Sequence, residues 1–268
     1  MASASLPMYD LPELRTVTDA WWQGLAKAFR RAGLRDVPDR LRRDGAMEAV
    51  WRAPDLLFSQ TCGYPLTHAF RGLLRPVATP AYAAPGCDGP LYASAIVVPA
   101  DDPAQGPGDL AGRICAVNNR ASHSGYNALR RVLAPHAADG RFAAGVLETG
   151  GHMASLAAVA EGRAGLAAID CVTLELLARH RPAAVAGLRV LAWSEKAPGL
   201  PYVTRADAGE EALARLRDGL RAALADPVLA GARQALLLRG AEPLDAAAYG
   251  RIDEMEAEAV ALGYPEVA

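Results

Sequence analysis

The residues of this chain best placed to do chemistry cluster in Asn118-Asn-Arg-Ala-Ser-His-Ser-Gly-Tyr126. An apolar run over 114–118 precedes them and reads as a strand, and a helical pattern over 124–133 follows, so the cluster lies on a strand-to-helix turn. Backbone N–H groups without intrahelical partners and the positive end of a helix dipole favour an anion at such a turn. The hydroxyls of Ser122 and Ser124 and the imidazole of His123 add donors, and Gly125 follows them in the turn. A serine at this place is also an ordinary helix cap, so capping and binding are both open roles for Ser122. Asn118 and Tyr126 flank the turn and complete the candidate set there.

Other polar residues stand at equivalent points of the chain. His152 follows Thr149-Gly-Gly151 and opens the next helix; it is either a cleft residue or a solvated helix start. Asp170 ends the apolar run 166–169, a position suited to ligand recognition and equally to capping the helix over 173–180. Tyr9 and Asp10 follow a first strand over 4–8, and Gln60 and Thr61 follow the strand over 56–59. Cys62 at a helix start could be a nucleophile, but no local base accompanies it and a structural thiol is the expectation.

No catalytic residue is assigned. A Ser–His–Asp reading of Ser122, His152 and Asp170 lacks the G-x-S-x-G turn that would expose the serine. No Walker A or G-x-G-x-x-G pattern is present, and neither Cys/His spacing nor an HxxxH pair supports a metal, so no cofactor and no metal are expected. With 28 basic against 30 acidic residues the formal charge is only -2, which gives nucleic acid or a membrane surface no electrostatic hold. The longest apolar stretches fall well short of the roughly 20 residues of a membrane helix, so no membrane insertion is expected.

The elements that must position these residues alternate strand and helix. Residues 10–33 carry Pro12 in a first turn and Leu14, Val17, Trp21, Leu25, Ala28 and Ala32 on one face of a helix. Strands over 114–118, 145–149, 166–170 and 188–193 alternate with helices over 124–133, 152–161 and 173–180, and helices near 210–224, 227–237 and 246–262 close the chain. The expected fold is α/β with two lobes, each a mostly parallel sheet flanked by helices, facing one another across a cleft. Crossings near 93–99 and 198–204 would make 1–93 with 200–268 the first lobe and 94–199 the second. Cys115 and Cys171 read as core residues, whereas Cys62 and Cys87 in loops after first-lobe strands are expected to lie near one another.

Four segments carry a resemblance: Ser5-Leu-Pro-Met-Tyr-Asp10, Leu56-Leu-Phe-Ser-Gln-Thr-Cys-Gly-Tyr-Pro65, Asn118 to Tyr126, and Gly165-Leu-Ala-Ala-Ile-Asp170. Together they resemble the phosphate/phosphite/phosphonate-binding proteins of ABC transporters, of the type II periplasmic-binding-protein fold. The resemblance implies that Ser122 and Ser124 occupy the turn that grips an oxyanion, and that Asp170 can meet an amino group on the ligand. His123 stands where that family more usually has a small hydroxyl residue. The implied role is capture of a small anionic solute and its delivery to an ABC-transporter permease by a monomer. No secretory leader is read at the start, so the chain is expected in the cytoplasm as it stands, or in the periplasm if a leader has been removed. The alternatives are a cytoplasmic enzyme of the same fold acting on a small biosynthetic intermediate and the sensing half of a regulator.

Overall fold

The computed structural model describes residues 2–268. The chain forms two compact units, one comprising the residues up to Ala83 with Pro198–Ala248, the other Ala84–Ala197 with Tyr249–Ala268. Each carries a five-stranded sheet.

In the first unit the strand order is Ser3–Ala4, Leu56–Gln60, Tyr202–Arg205, Leu74–Tyr82, Leu238–Glu242. The first two are parallel, and Tyr202–Arg205 is antiparallel to both of its neighbours. The helix Arg15–Arg31 buries Trp21, Trp22, Leu25 and Phe29, as its apolar spacing requires. Trp22 and Phe29 meet Phe58 at ring distances of 6.2 and 5.1 Å, and Phe58 meets Tyr202 at 5.0 Å, so one aromatic cluster fastens that helix to the sheet. The helix Glu210–Ala225 approaches the same helix through Gly219, where a Cβ would stand only 2.5 Å from Phe29 Cδ1.

Leu74–Tyr82 is a nine-residue strand to which the sequence pattern assigns no element. Pro76 and Pro80 mask it, because proline cannot donate to a ladder and argues against an interior strand. Here Pro76 lies opposite Val203 and Pro80 opposite Ala241, with register shifts nearby in both partner strands. The partner Leu238–Glu242 is likewise a strand at the end of a stretch expected to be helical to 237; the helical part ends at Ala235, and Leu237 takes a left-handed turn at φ 59°.

In the second unit the order is Gly145–Glu148, Ile114–Val117, Leu166–Asp170, Ser94–Pro99, Leu188–Trp193. The first three strands are parallel, while Ser94–Pro99 runs against both neighbours. The expected α/β architecture is present, with reversed strands added: Ser94–Pro99 in the second sheet, and Tyr202–Arg205 and the edge strand Leu238–Glu242 in the first, run against their neighbours.

The unit boundaries also differ from the expected ones, because 84–93 and 249–268 group with the second unit. Tyr264 and Val267 are buried in its core with Leu129, Leu133 and Phe142. The backbone N–H groups of Phe142 and Ala143 donate to Ala268 O at 2.6 and 2.7 Å, and Arg130 Nη1 donates to Pro265 O at 2.7 Å. An apolar helix face shows that it must be covered but not which sheet covers it. Among the described residues no helix is long and apolar enough to cross a membrane.

Replacing Tyr264 by alanine should empty part of this core and lower stability by about 3–5 kcal/mol, as for other large aromatic truncations. Urea unfolding of Y264A measures it; a loss below about 1 kcal/mol would contradict the placement of the C-terminal segment in that core.

Candidate functional site

The parallel strands Ile114–Val117, Gly145–Glu148 and Leu166–Asp170 bring their carboxyl ends to one edge of the second unit's sheet, where ligands of open α/β sheets bind. Two backbone bonds tie the loops there: Thr149 N–H donates to Val117 O at 2.9 Å and Gly150 N–H to Asn118 O at 2.8 Å.

The turn after Asn118 has a defined geometry. Ser122 is extended at φ -99° and ψ 137°, and its Oγ accepts the Gly125 N–H at 3.1 Å, so the expected cap forms. Asn127 N–H donates to Ser122 O at 3.0 Å and Ala128 N–H to His123 O, making a π-helical first turn ahead of the α-helix Ala128–Leu133. The N–H groups of His123 and Ser124 precede the first donor that has a carbonyl within the helix. Gly125 is sterically required, since a Cβ there would stand 1.9 Å from Asn118 Oδ1 and 3.2 Å from His152 Cε1. Ser124 Oγ lies 3.0 Å from His152 Nε2, linking this turn to the start of the helix His152–Ala160. Asn118, Ser122, Ser124, Gly125 and His152 are thus brought together.

Two buried polar atoms at this end of the sheet, Ser94 Oγ and Asn118 Oδ1, lack a hydrogen-bond partner among the described residues. Ser94 lies opposite Asp170 in the antiparallel ladder. A buried polar atom without a partner is costly, so each is suited to a group from a bound solute. Ser94 carries no sequence signal, because it begins a strand, and only the reversed direction of that strand puts its start beside the carboxyl ends of the others. Thr149 also contributes: its Oγ1 bonds Val117 O at 3.1 Å and Ser155 Oγ at 2.7 Å and shapes the loop before His152.

The remaining expected site residues have other duties. Asp170 is buried and its Oδ1 accepts the Thr173 N–H at 2.8 Å, capping the helix Cys171–His180. Tyr126 belongs to the core: its ring lies between the guanidinium groups of Arg120 and Arg130, 5.7 and 5.6 Å away, and its hydroxyl accepts from Arg120 and from Val267 N–H. In the first unit Tyr9 packs edge-on against Tyr82 at 5.1 Å, and Asp10 is held by Arg43 at 2.6 Å. Gln60 Nε2 donates to Tyr82 Oη and to Leu200 O, both at 3.0 Å, and Thr61 Oγ1 donates to Cys62 O at 3.3 Å. All four are engaged within their own unit.

His123 is corrected most sharply. It is only 2% exposed, lies 6.0 Å from the Tyr92 ring, and its Nδ1 faces Asn127 Nδ2 at 3.2 Å. That amide also donates to Ile252 O at 3.0 Å, while Asn127 Oδ1 accepts from Arg130, so His123 Nδ1 accepts and the ring is neutral. Burial, and after it the charge of Arg251, lowers its pKa to about 3. A cationic imidazolium that could grip an anion therefore does not form here near neutral pH. Burial also lowers His152 to about 4, weakly opposed by the nearby Ala168 carbonyl.

Both histidines titrate in the unfolded chain near the ordinary value of about 6.5. Between that value and the lowered ones the unfolded state binds more protons, so their contribution to stability is complete above about 6.5 and is lost as pH falls. The urea midpoint should drop from pH 7 to pH 5, by up to about 1.4 kcal/mol per pH unit for each histidine, and H123Q or H152Q should flatten the slope. A pH-independent wild-type midpoint over this range would rule out buried neutral imidazoles.

Elsewhere in this unit, a cavity of about 280 Å³ is lined mainly by apolar residues, Val97, Leu174, Val190 and Trp193 among them, and contains none of the expected ligand residues. Among the described residues no three His, Cys, Asp or Glu side chains come together as a metal site.

Comparison with known proteins places this edge in context. No curated protein matches the chain. Among solved structures, the binding protein component of an ABC phosphonate transporter from Pseudomonas aeruginosa superposes with a TM-score of 0.76 at 18% identity, covering 98% of this chain and 87% of that one. A Prochlorococcus marinus protein in complex with methylphosphonate gives 0.74 at 14% identity over 96% and 97% of the two chains. A Xanthomonas citri protein bound to ATP gives 0.71 at 19% over 98% of each. These likenesses show a shared fold. A family model described as the periplasmic substrate-binding protein of the phosphonate ABC transporter matches residues 53–249, most of the chain including the turn over 118–126, and the protein belongs to that family of solute-binding proteins.

Proposed function

We propose that this protein holds the phosphonate or phosphate group of a small solute at the edge formed by Asn118, Ser122, Ser124, Gly125 and His152, with Ser94 beside them, and passes it unchanged to a permease outside the cytoplasm. The observation that carries the reading is the π-helical turn itself. Its leading N–H groups lie ahead of the intrahelical ladder, Ser122 and Ser124 stand on it, and Gly125 keeps its backbone clear. The imidazoles here are neutral, so the oxyanion would be met by neutral donors and a helix end rather than by a cation. Such a site releases its ligand more readily than an Arg or Lys clamp would, because it lacks the attraction between two full opposite charges. Release is what a carrier requires.

The remaining expected ligand residues fit this reading as supports. Asp170 fixes the adjoining helix, and His123 and Tyr126 fix the rear of the turn. The family description supports both the transport role and a permease partner.

Titration calorimetry with methylphosphonate and with inorganic phosphate tests the site. Each hydrogen bond lost to a charged ligand costs roughly 1.5–3 kcal/mol, so S122A/S124A should bind about a hundredfold more weakly or worse. Loss of the cap alone would lower stability by about 1–2 kcal/mol and leave affinity untouched. Wild-type affinity in the folded double variant overturns the assignment, and recovery of a chemically altered ligand overturns the carrier role.

A further inference from the structure

Outside the anion edge, the second unit places two thiols face to face. Cys87 Sγ lies 3.5 Å from Cys171 Sγ, although the residues are 84 positions apart in the chain. All four cysteines are free, and the expected neighbour of Cys87 was Cys62. The local backbone explains the actual pairing. Gly86 adopts φ 95°, a left-handed conformation that turns its loop onto the helix Cys171–His180. A Cβ at Gly86 would meet Trp193 Cζ3 at 2.7 Å and Cys171 Cβ at 3.1 Å, so the loop is in tight contact there. Cys87 N–H donates to Ala84 O at 3.0 Å and Cys171 N–H to Ala93 O at 3.3 Å, which holds both backbones.

We propose that Cys87 and Cys171 form a reversible disulfide by exchange with a small-molecule disulfide, latching the 84–90 loop to the start of the helix Cys171–His180. The sulfurs already touch, and closing the bond requires a shift of little more than an ångström. Cys87 is the half-exposed partner and Cys171 the buried one, although Cys171 lines the open cavity beside Pro85 and Trp193. The Cys171 thiol donates to Cys87 and lowers its pKa, aided by the Ala84 N–H and by Lys196, whereas Cys171 is raised by Cys87, by burial and by the Asp170 carboxylate.

The exchange then has a direction. The Cys87 thiolate attacks one sulfur of the small disulfide, forming a mixed disulfide and expelling one small thiolate. Cys171 gives up its proton and attacks Cys87 Sγ, expelling the second. Two protein thiols are oxidised, the small disulfide is reduced to two thiols, and dithiothreitol reverses the sum.

Equilibrating the whole folded protein with oxidised glutathione, then alkylating under denaturing conditions, reads the result directly. Free thiols should fall from four to two, a peptide linking Cys87 to Cys171 should appear, and the melting temperature should rise, all reversibly. C171S should retain one glutathione on Cys87, and C87S should leave Cys171 unmodified. Four alkylated thiols in the fully equilibrated wild type, or a crosslink through Cys62 or Cys115, overturns the proposal. The wild-type measurement decides the matter even if a variant fails to fold.

Discussion

The second unit is organised around one steric constraint, the passage of Asn118 and His152 over the backbone of Gly125. Because no side chain fits there, the strand-to-helix loop lies against the start of the neighbouring helix, and Ser124 reaches His152. The same closeness widens the first turn to π geometry, with Asn127 and Ala128 reaching back to Ser122 and His123. That packing sets a helix end at the sheet edge with hydroxyls fixed beside it and imidazoles too enclosed to ionise near neutrality.

The turn is also held from behind, and by residues far away in the chain. Asn127 uses both amide hydrogens, on His123 and on Ile252 O, and its oxygen on Arg130, which in turn bonds Pro265 O. Both Arg130 terminal nitrogens are engaged, while its Nε is left without a hydrogen-bond partner among the described residues. The helix Gly250–Ala261 and the residues after it thereby become the rear wall of this turn, although they are more than a hundred positions away in the chain. This explains why Arg130, a buried cation, sits stably in the core: it pairs with Glu256 at 3.1 Å and lies near the Tyr126 ring.

The first unit solves a different problem. Its polar residues near Tyr9 and Gln60 bond one another and the Leu200 carbonyl, which fixes where Tyr202–Arg205 enters between its two neighbours. Gln60 spends both amide hydrogens on that task. A residue type that suits ligand binding is here recruited to position a reversed strand, and the chemistry of a carboxamide is the same in either use.

What the sequence determined by itself was local. A strand run, a serine, a glycine and a helical pattern suffice to mark the strand-to-helix turn at Ser122–Gly125, the cap at Asp170 and the helix start at His152, because each is written in contiguous residues. The apolar period likewise marked the helix Arg15–Arg31 and the four similarly directed strands of the second sheet. Only tertiary structure decided whether a marked residue faces the site or the core. His123 lies between Ser122 and Ser124 and Tyr126 just after them, yet contacts with the segment after 249 bury both. Nor could local pattern disclose Leu74–Tyr82, whose prolines are tolerated only because the partner strands shift register beside them. Ser94 and the Cys87–Cys171 pair depend on strand direction and on a left-handed glycine, which bring together residues that no spacing rule relates.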